Sequence, residues 1–493
     1  MAARRNHLRP LAASALASAL LALAAPAADA DQAQYERGYE LGTKAYEYGV
    51  PVLDTRRIYR TATSVSKSDG RGNGPVNRFS HARRLAEPED RTVVAPNHDT
   101  LYSLAWLNLA HQPQVIHIPK LEDRFFVFEL VSPWTENFRN IGTPTGASGG
   151  GEFAIVGPGF RGRLPEGVTK IKSPYDRVWV IGRTLIDGEA DTEAVNRIQN
   201  RYRIIPLRKF GAEFKPKRIK PVDTTVDQAT IPGFGVGEDP LDFYAALGRE
   251  LERFPAPKAD RPLLDEIAAI GVGPGLDPAT DAALAPDLLS GMRNAVTDGP
   301  DNVQARIVSG FLEGFERHNG YLIGDIGRYG TDYALRAATD KIGVGALIPK
   351  IAIYPFAQTS RDLGPLDGAN RYLLHLPADL LPIPARGLWS LTLYDSQMFL
   401  VPNPADRYLL NDRSDLHYNP DGSLDLYVQS EQPSDPGQAS NWLPAPAGPF
   451  RLIWRLYDAG PAVAGILDGT GWLPPAILRC GDDGTAGGTP CAS

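Results

Sequence analysis

Leu388-Trp389-Ser390-Leu391-Thr392-Leu393-Tyr394-Asp395 alternates with a period of two: Trp389, Leu391 and Leu393 share one face of an extended chain, and Ser390, Thr392 and Tyr394 share the other. The same period recurs at 450–457, where Phe450, Leu452, Trp454 and Leu456 oppose Arg451, Ile453, Arg455 and Tyr457. Each stretch offers one apolar face and one face carrying polar groups. That pattern predicts an antiparallel sheet with one side in a core and the other solvated or lining a cavity. Between the two stretches, Asn419-Pro420-Asp421-Gly422 is a turn that joins 416–418 to 424–428.

Upstream, between 92 and 207, short apolar runs at 103–109, 115–118, 125–131, 153–156 and 178–181 are separated by Pro and Gly, which suits a second β-sandwich or barrel. Phe125-Phe126-Val127-Phe128-Glu129-Leu130-Val131 is apolar on both faces except for Glu129, so it reads as a central strand whose carboxylate needs a partner or a pocket. Helical spacing appears in two other places. Tyr39, Gly42, Tyr46, Val50 and Leu53 recur at three and four, which predicts a helix interrupted or ended by Pro51. Asp239-Pro240 with Asp242 starts a helix bearing Tyr244, Leu247, Leu251 and Phe254, and further helices are expected over 263–270, 278–297 and 302–318. The expected fold class is therefore mainly β with a helical insert, two β-sandwich or barrel regions linked by an α-helical segment.

The 493 residues suffice for two or three domains, and 43 Pro with 49 Gly favour many turns and short strands over a helical bundle. Arg4, Arg5 and Arg9, the uncharged run 11–25 and Ala28-Asp29-Ala30 have the three-part form of a secretory signal cleaved after Ala30. That run is shorter than a bilayer span, so no transmembrane segment is expected after cleavage, and the protein is expected to be periplasmic or secreted. Arg4-Arg5 leaves twin-arginine export open beside the general route. The formal charge of −7, which cleavage makes more negative, argues against nucleic acid as a partner. Cys480 and Cys491 are the only cysteines, and in an oxidising compartment they are expected to form one disulfide.

Several strings together resemble known families. Asn97-x-Asp99-Thr100-x-Tyr102-Ser103, Gly157-Pro158-Gly159-Phe160-x-Gly162, Arg183-Thr184 and the early Tyr46-x-Tyr48-Gly49 resemble the domain-of-unknown-function family DUF1254. Tyr329-Gly330-x-Asp332-Tyr333, Trp389–Asp395, Asn403-Pro404, Asn441-Trp442-Leu443-Pro444-Ala445-Pro446 and Arg455-Leu456-Tyr457 resemble its usual partner, DUF1214. The resemblance implies tandem jelly-roll-like sandwiches with a helical insert, often exported and frequently homo-oligomeric, with no established chemistry. Thr135-Glu136-Asn137-Phe138 departs from the more usual Asp-x-Tyr-Thr at that place. The organisation expected is a signal at 1–30, an N-terminal helix at 31–60, a DUF1254-like β domain at 61–215, a linker and helical segment at 216–349, a DUF1214-like sandwich at 350–480 and a flexible Gly-rich tail at 481–493.

Candidate chemistry centres on Asn97–Trp106. Asp99 is the first candidate acid or base and Glu129 the second carboxylate, since two such groups flank the bond broken in glycoside hydrolysis. Asn97, Tyr102, Trp106, Trp389, Asn441, Trp442 and Arg455 are the candidate substrate-binding residues, through flat aromatic faces and polar grips. Against this stand the ordinary structural uses of the same residues: Asn and Asp ahead of Thr close turns, a buried Glu pairs with Arg, and buried Trp is core. No metal is expected, because His81, His98, His111, His117, His318, His375 and His417 form no spaced pair, and only His98 beside Asp99 invites attention. No cofactor motif occurs, and the basic run Lys209, Lys215, Lys217, Arg218, Lys220 reads as a solvated strap. The favoured reading is a hydrolase or lyase acting on a polyhydroxylated or amphipathic small substrate. The alternative is an envelope module that binds a glycan or lipid head group without turnover, and a third is a purely structural protein.

Overall fold

A computed structural model describes residues 13–91, 94–121, 123–212, 237–481, 485–486 and 489–491. The basic start of the chain and most of the Lys-rich strap lie outside the described residues. The chain divides into two compact units that do not follow sequence order: 1–53 with 228–302, and 54–227 with 303–493. Both β regions thus belong to the second unit, together with helices from 303 onward.

In the first unit, residues 35–53 of α1 (Ala13–Thr63) pack with α2 (Asp242–Arg253), α3 (Arg261–Ile267) and α4 (Pro286–Thr297). Of the stripe read from the sequence, Gly42, Tyr46, Val50 and Leu53 are interior and Tyr39 is half-buried. The Tyr244 hydroxyl donates to the carbonyl oxygens of Gly42 and Met292, and Tyr48 donates to Asp260 at 2.9 Å. Glycine permits the closest approach, since a Cβ on Gly38 would lie 2.0 Å from the Leu288 carbonyl oxygen and one on Gly291 2.1 Å from that of Tyr35. Pro51 does not end α1, which continues to Thr63. A proline removes one backbone donor, and burial of Val52 and Leu53 beyond it offsets that loss.

The second unit is β-rich. Its first part contains β1 (Ser80–His81), β2 (Thr100–Asn108), β3 (Gln114–Ile118), β4 (Phe126–Val131), β5 (Asn137–Gly142), β6 (Gly151–Val156), β7 (Val168–Lys172), β8 (Arg177–Leu185) and β9 (Arg203–Pro206). They form one sheet in the order β1-β2-β8-β4-β5 and another in the order β7-β6-β3-β9. One core lies between these sheets, with Ala105, Phe128 and Val180 from the first meeting Ile116, Phe153 and Ile204 from the second.

The later part contains β10 (Ala352–Ile353), β11 (Phe356–Ala357), β12 (Tyr372–Leu376), β13 (Leu388–Asp395), β14 (Leu409–Asn411), β15 (Leu424–Gln429), β16 (Trp442–Pro444), β17 (Phe450–Tyr457) and β18 (Leu478–Arg479). β10-β17-β13-β14, with β11 also on β17, form one sheet and β16-β15-β12-β18 the other. Their shared core takes the faces read as apolar, Trp389, Leu391 and Leu393 with Phe450, Leu452, Trp454 and Leu456. The segment 416–418, expected as a strand, is not one. Its backbone is tied instead to the Asn441 side chain, which accepts from the His417 N–H and donates to the His417 carbonyl. The helices of this unit that bear on the site are α5 (Gly299–Gly314, from 303 onward) and α6 (Tyr333–Gly343). Cys480 and Cys491 form the expected disulfide.

His81 illustrates how burial enters stability. Its Nδ1 lies 2.9 Å from Ser103 Oγ, and burial, with Arg83 nearby, pushes its pKa down to about 3. The unfolded chain therefore binds a proton at His81 more readily than the folded one, so stability present above about pH 6.5 is lost as pH falls toward 3. Lowering the pH from about 7.5 to about 5 should cost the protein about 2 kcal/mol through this residue. Urea unfolding at the two pH values should show that share of the loss absent in His81→Asn.

Candidate functional site

The polar faces of the two β regions meet around one cavity of about 450 Å³. On β2 and β8, Tyr102 stands opposite Arg183 in register, on the face turned away from the first core. On β17 the second face carries Ile453, Arg455 and Tyr457, all of which line the cavity, and Tyr354 and Phe356 join them from the adjoining chain. Ile307 of α5 and Leu335 and Ala338 of α6 supply apolar wall. Buried Asn97, Arg183, Arg455 and Tyr457 make up a polar end, whereas Arg306, Ser309, Glu313 and Asp332 are exposed at the rim.

Three consecutive residues fasten the first β region to the second. The Ala95 carbonyl accepts from Arg455 Nη2 at 3.0 Å, the Pro96 carbonyl accepts from the Tyr394 hydroxyl at 2.8 Å, and Asn97 Nδ2 donates to the Tyr457 hydroxyl at 2.8 Å. Asn97 Oδ1 meanwhile accepts from the backbone of Asp99 and Thr100, closing the turn that starts β2. Ala95 adopts a φ of 49°, a left-handed conformation that costs an alanine energy and persists because both of its peptide groups are engaged, the amide by the Met398 carbonyl.

Each arginine of the polar end has its own set of partners. Arg183 Nη1 donates to Glu129 Oε2 at 2.8 Å and Nη2 to the Gly345 carbonyl at 3.1 Å. Burial pushes the Glu129 carboxyl up to about 7 against the pull of Arg183, which stays charged. Arg455 donates to the Thr392 and Tyr394 hydroxyls and to Ala95, all neutral oxygens.

Asn97, Tyr102 and Arg455, three of the residues singled out from the sequence, are brought together at the cavity. The two carboxylates are placed behind its wall. Asp99 is fully buried, accepting from Arg413 at 2.7 Å and Asn411 at 3.1 Å, and Glu129 is fully buried against Arg183. Trp106 stacks on Trp179 with centroids 5.1 Å apart, and Trp389 sits in the second core beside Trp454. Asn441 bonds the backbone of His417 and Asp425, and the Trp442 indole donates to the Gln429 carbonyl. His98 packs edge-on to Tyr408, and among the described residues no group of three His, Cys, Asp or Glu could hold a metal ion. Sequence reasoning did not single out Arg183, Tyr354 or Tyr457 as site residues. A signal existed for two of them: Arg183 is the one charge inside the apolar run 178–185, and Tyr457 follows Arg455 on the same face.

Residues 76–206 match the family described as a protein of unknown function, DUF1254, and residues 351–461 match the one described as a protein of unknown function, DUF1214. No curated protein matches the sequence. Among solved structures, the chain is similar to a protein from Vibrio parahaemolyticus, with a TM-score of 0.63 and 20% identity over 90% of this chain and 99% of that one. A protein from Burkholderia cenocepacia aligns with a TM-score of 0.43 and 11% identity over 93% and 98% of the two chains. The first likeness is one of fold alone.

Two substitutions separate support from chemistry. Glu129 has a folded pKa above its unfolded value of 4.5, so stability it contributes below that value is lost as pH rises toward about 7, by about 3 kcal/mol at most. Glu129→Gln should flatten this part of the stability–pH curve in urea unfolding. Asp99→Asn should lower stability by about 1–3 kcal/mol, since Arg413 keeps Asp412 and Asp187 beside it, and should leave ligand affinity at the cavity unchanged.

Proposed function

We propose a binding role for this chain, which belongs to the tandem DUF1254–DUF1214 family: an exported protein that holds one small amphipathic molecule in the cavity between its two β regions. The observation carrying this reading is the composition of the wall. Apolar side chains from α5, α6 and β17 surround most of it, while buried phenols and guanidinium groups converge at one end. Pockets that orient an amphipathic ligand have this division, and a volume of about 450 Å³ falls in the range of small-molecule sites.

Export is supported by the three-part N-terminal sequence and by the Cys480–Cys491 disulfide, which suits an oxidising compartment. Among the described residues no helix is long and apolar enough to cross a membrane. The facing sheets around each β core are compatible with the jelly-roll-like sandwiches that the family resemblance implies. Hydrolysis or lysis by a carboxylate pair receives less support. Such a pair has to reach the substrate, and Asp99 and Glu129 are each held in an ion pair with no exposed surface.

The test is a thermal-shift screen with amphipathic acids, alcohols, esters and oligosaccharides, paired with product analysis of every hit. A ligand at a hundred times its Kd should stabilise the protein by about 2.7 kcal/mol. Ala338→Trp places an indole in the void, so it should abolish the shift while changing stability by less than about 2 kcal/mol. Amphipathic ligands that leave the melting temperature unmoved would refute the reading, and product formation on an ester or oligosaccharide would replace it with the hydrolytic one.

A further inference from the structure

Arg455 is 4% exposed, yet among the described residues no carboxylate lies within ion-pair distance of it. The charged groups around it are otherwise accounted for. Above about pH 7, where Glu129 is ionised, Arg183 is neutralised at 2.8 Å, and Asp99 is bonded to Arg413 at 2.7 Å. Arg306, Glu313 and Asp332 stand at the exposed rim, where water screens them. With Glu129 ionised, the polar end of the cavity therefore presents one guanidinium, that of Arg455, with no carboxylate paired to it directly; Asp99 favours its charge only through space. A buried charge without a counter-charge is costly, and neutral hydrogen-bond acceptors offset only part of that cost.

The surrounding phenols do not supply the missing charge. Burial pushes Tyr354 up to about 12, Tyr457 well above the ordinary phenol value and Tyr394 upward as well, so each is protonated at neutral pH. A protonated phenol is instead a donor. The Tyr457 hydroxyl accepts from Asn97, which leaves its own proton free to be given away. The hydroxyls of Tyr102 and Tyr354, both half-buried at the cavity, have no hydrogen-bond partner among the described residues. One guanidinium and three phenolic O–H groups thus face a single space, and none of them is an anion.

We propose that the cavity selects a monoanion, a carboxylate carrying an apolar or aromatic body, with the carboxylate received by Arg455 and the hydroxyls of Tyr102, Tyr354 and Tyr457. The choice of a monoanion follows from the charge count. With Glu129 ionised, one negative charge pairs with Arg455, whereas a phosphate monoester would bring a second that no unpaired buried cation of the cavity meets. The donors number enough to fill the acceptor sites of a carboxylate, and a charge-assisted bond in a water-poor site is stronger than a neutral one. The apolar wall formed by Ile307, Leu335, Ala338 and Phe356 would take the body of the molecule. This inference rests on the binding role proposed above and specifies its ligand class.

Calorimetric titration of the full chain at about pH 8, where Glu129 is ionised and octyl phosphate is a dianion, with octanoate, 1-octanol and octyl phosphate, each matched in chain length, tests it. Octanoate should bind at least about tenfold more tightly than octanol, and more tightly than octyl phosphate. Arg455→Gln should remove the preference for octanoate over octanol while octanol still binds. Tyr354→Phe, whose hydroxyl has no hydrogen-bond partner among the described residues, should reduce octanoate affinity several-fold and leave octanol affinity alone, so it reports even if Arg455→Gln does not fold. Equal binding of octanoate and octanol, both abolished by Ala338→Trp, would overturn the charge selection and leave the binding role standing. Tighter binding of octyl phosphate would overturn the monoanion. If none of the three binds, both the ligand class and the binding role fail.

Discussion

The Arg455 guanidinium is the contact on which the arrangement of the β unit depends. It reaches from the second sheet pair to the Ala95 carbonyl, and Tyr394 and Asn97 add parallel bonds at the next two residues. These three bonds bring the chain that leads into β2 across the outer face of β13 and β17. Without a buried donor in the middle of β17, the Ala95 carbonyl would be an unsatisfied acceptor in the interior. The same guanidinium closes the polar end of the cavity. Joining the β regions and presenting a positive charge are thus two consequences of one side chain.

A second constraint is the use of both faces of a sheet. β13 and β17 bury Trp389, Leu391, Leu393, Leu452, Trp454 and Leu456 in one core, which leaves Thr392, Tyr394, Arg455 and Tyr457 on the reverse. β2, β4 and β8 do the same, with Phe128 and Val180 inward and Tyr102, Glu129 and Arg183 outward. A polar reverse face ordinarily meets water. Here two such faces and two helices enclose a space, so their polar groups are paired with one another, and Arg455 bonds neutral oxygens alone. Glu129 and Asp99 are the visible cost of the arrangement: each is a carboxylate placed in the interior to hold an arginine.

Much of this was legible before any coordinates. The alternation at 388–395 and 450–457 located two strands and separated the residues of the core from those of the cavity, because side-chain direction along a strand is a local property with a period of two. The apolar runs between 103 and 181 located further strands, and the disulfide followed from there being only two cysteines. Local reasoning was less secure where the backbone had unusual support, as at Pro51 and at 416–418.

Which polar side chains would face one another was not legible. Asp99 and Glu129 looked like a catalytic pair because each is a carboxylate among aromatics. Their partners, Arg413 and Arg183, lie 314 and 54 residues away along the chain, and nothing in the local sequence announces them. The aromatic residues Trp106, Trp389 and Trp442 looked equally suited to a ligand and to a core, since a tryptophan has the same local signature in both. By itself the sequence determined the periodicity, hence the strands, the faces and the two regions that match known families. Only the tertiary structure decided which face closed on which, because the pairing of buried charges is set by distances between residues that the chain keeps far apart.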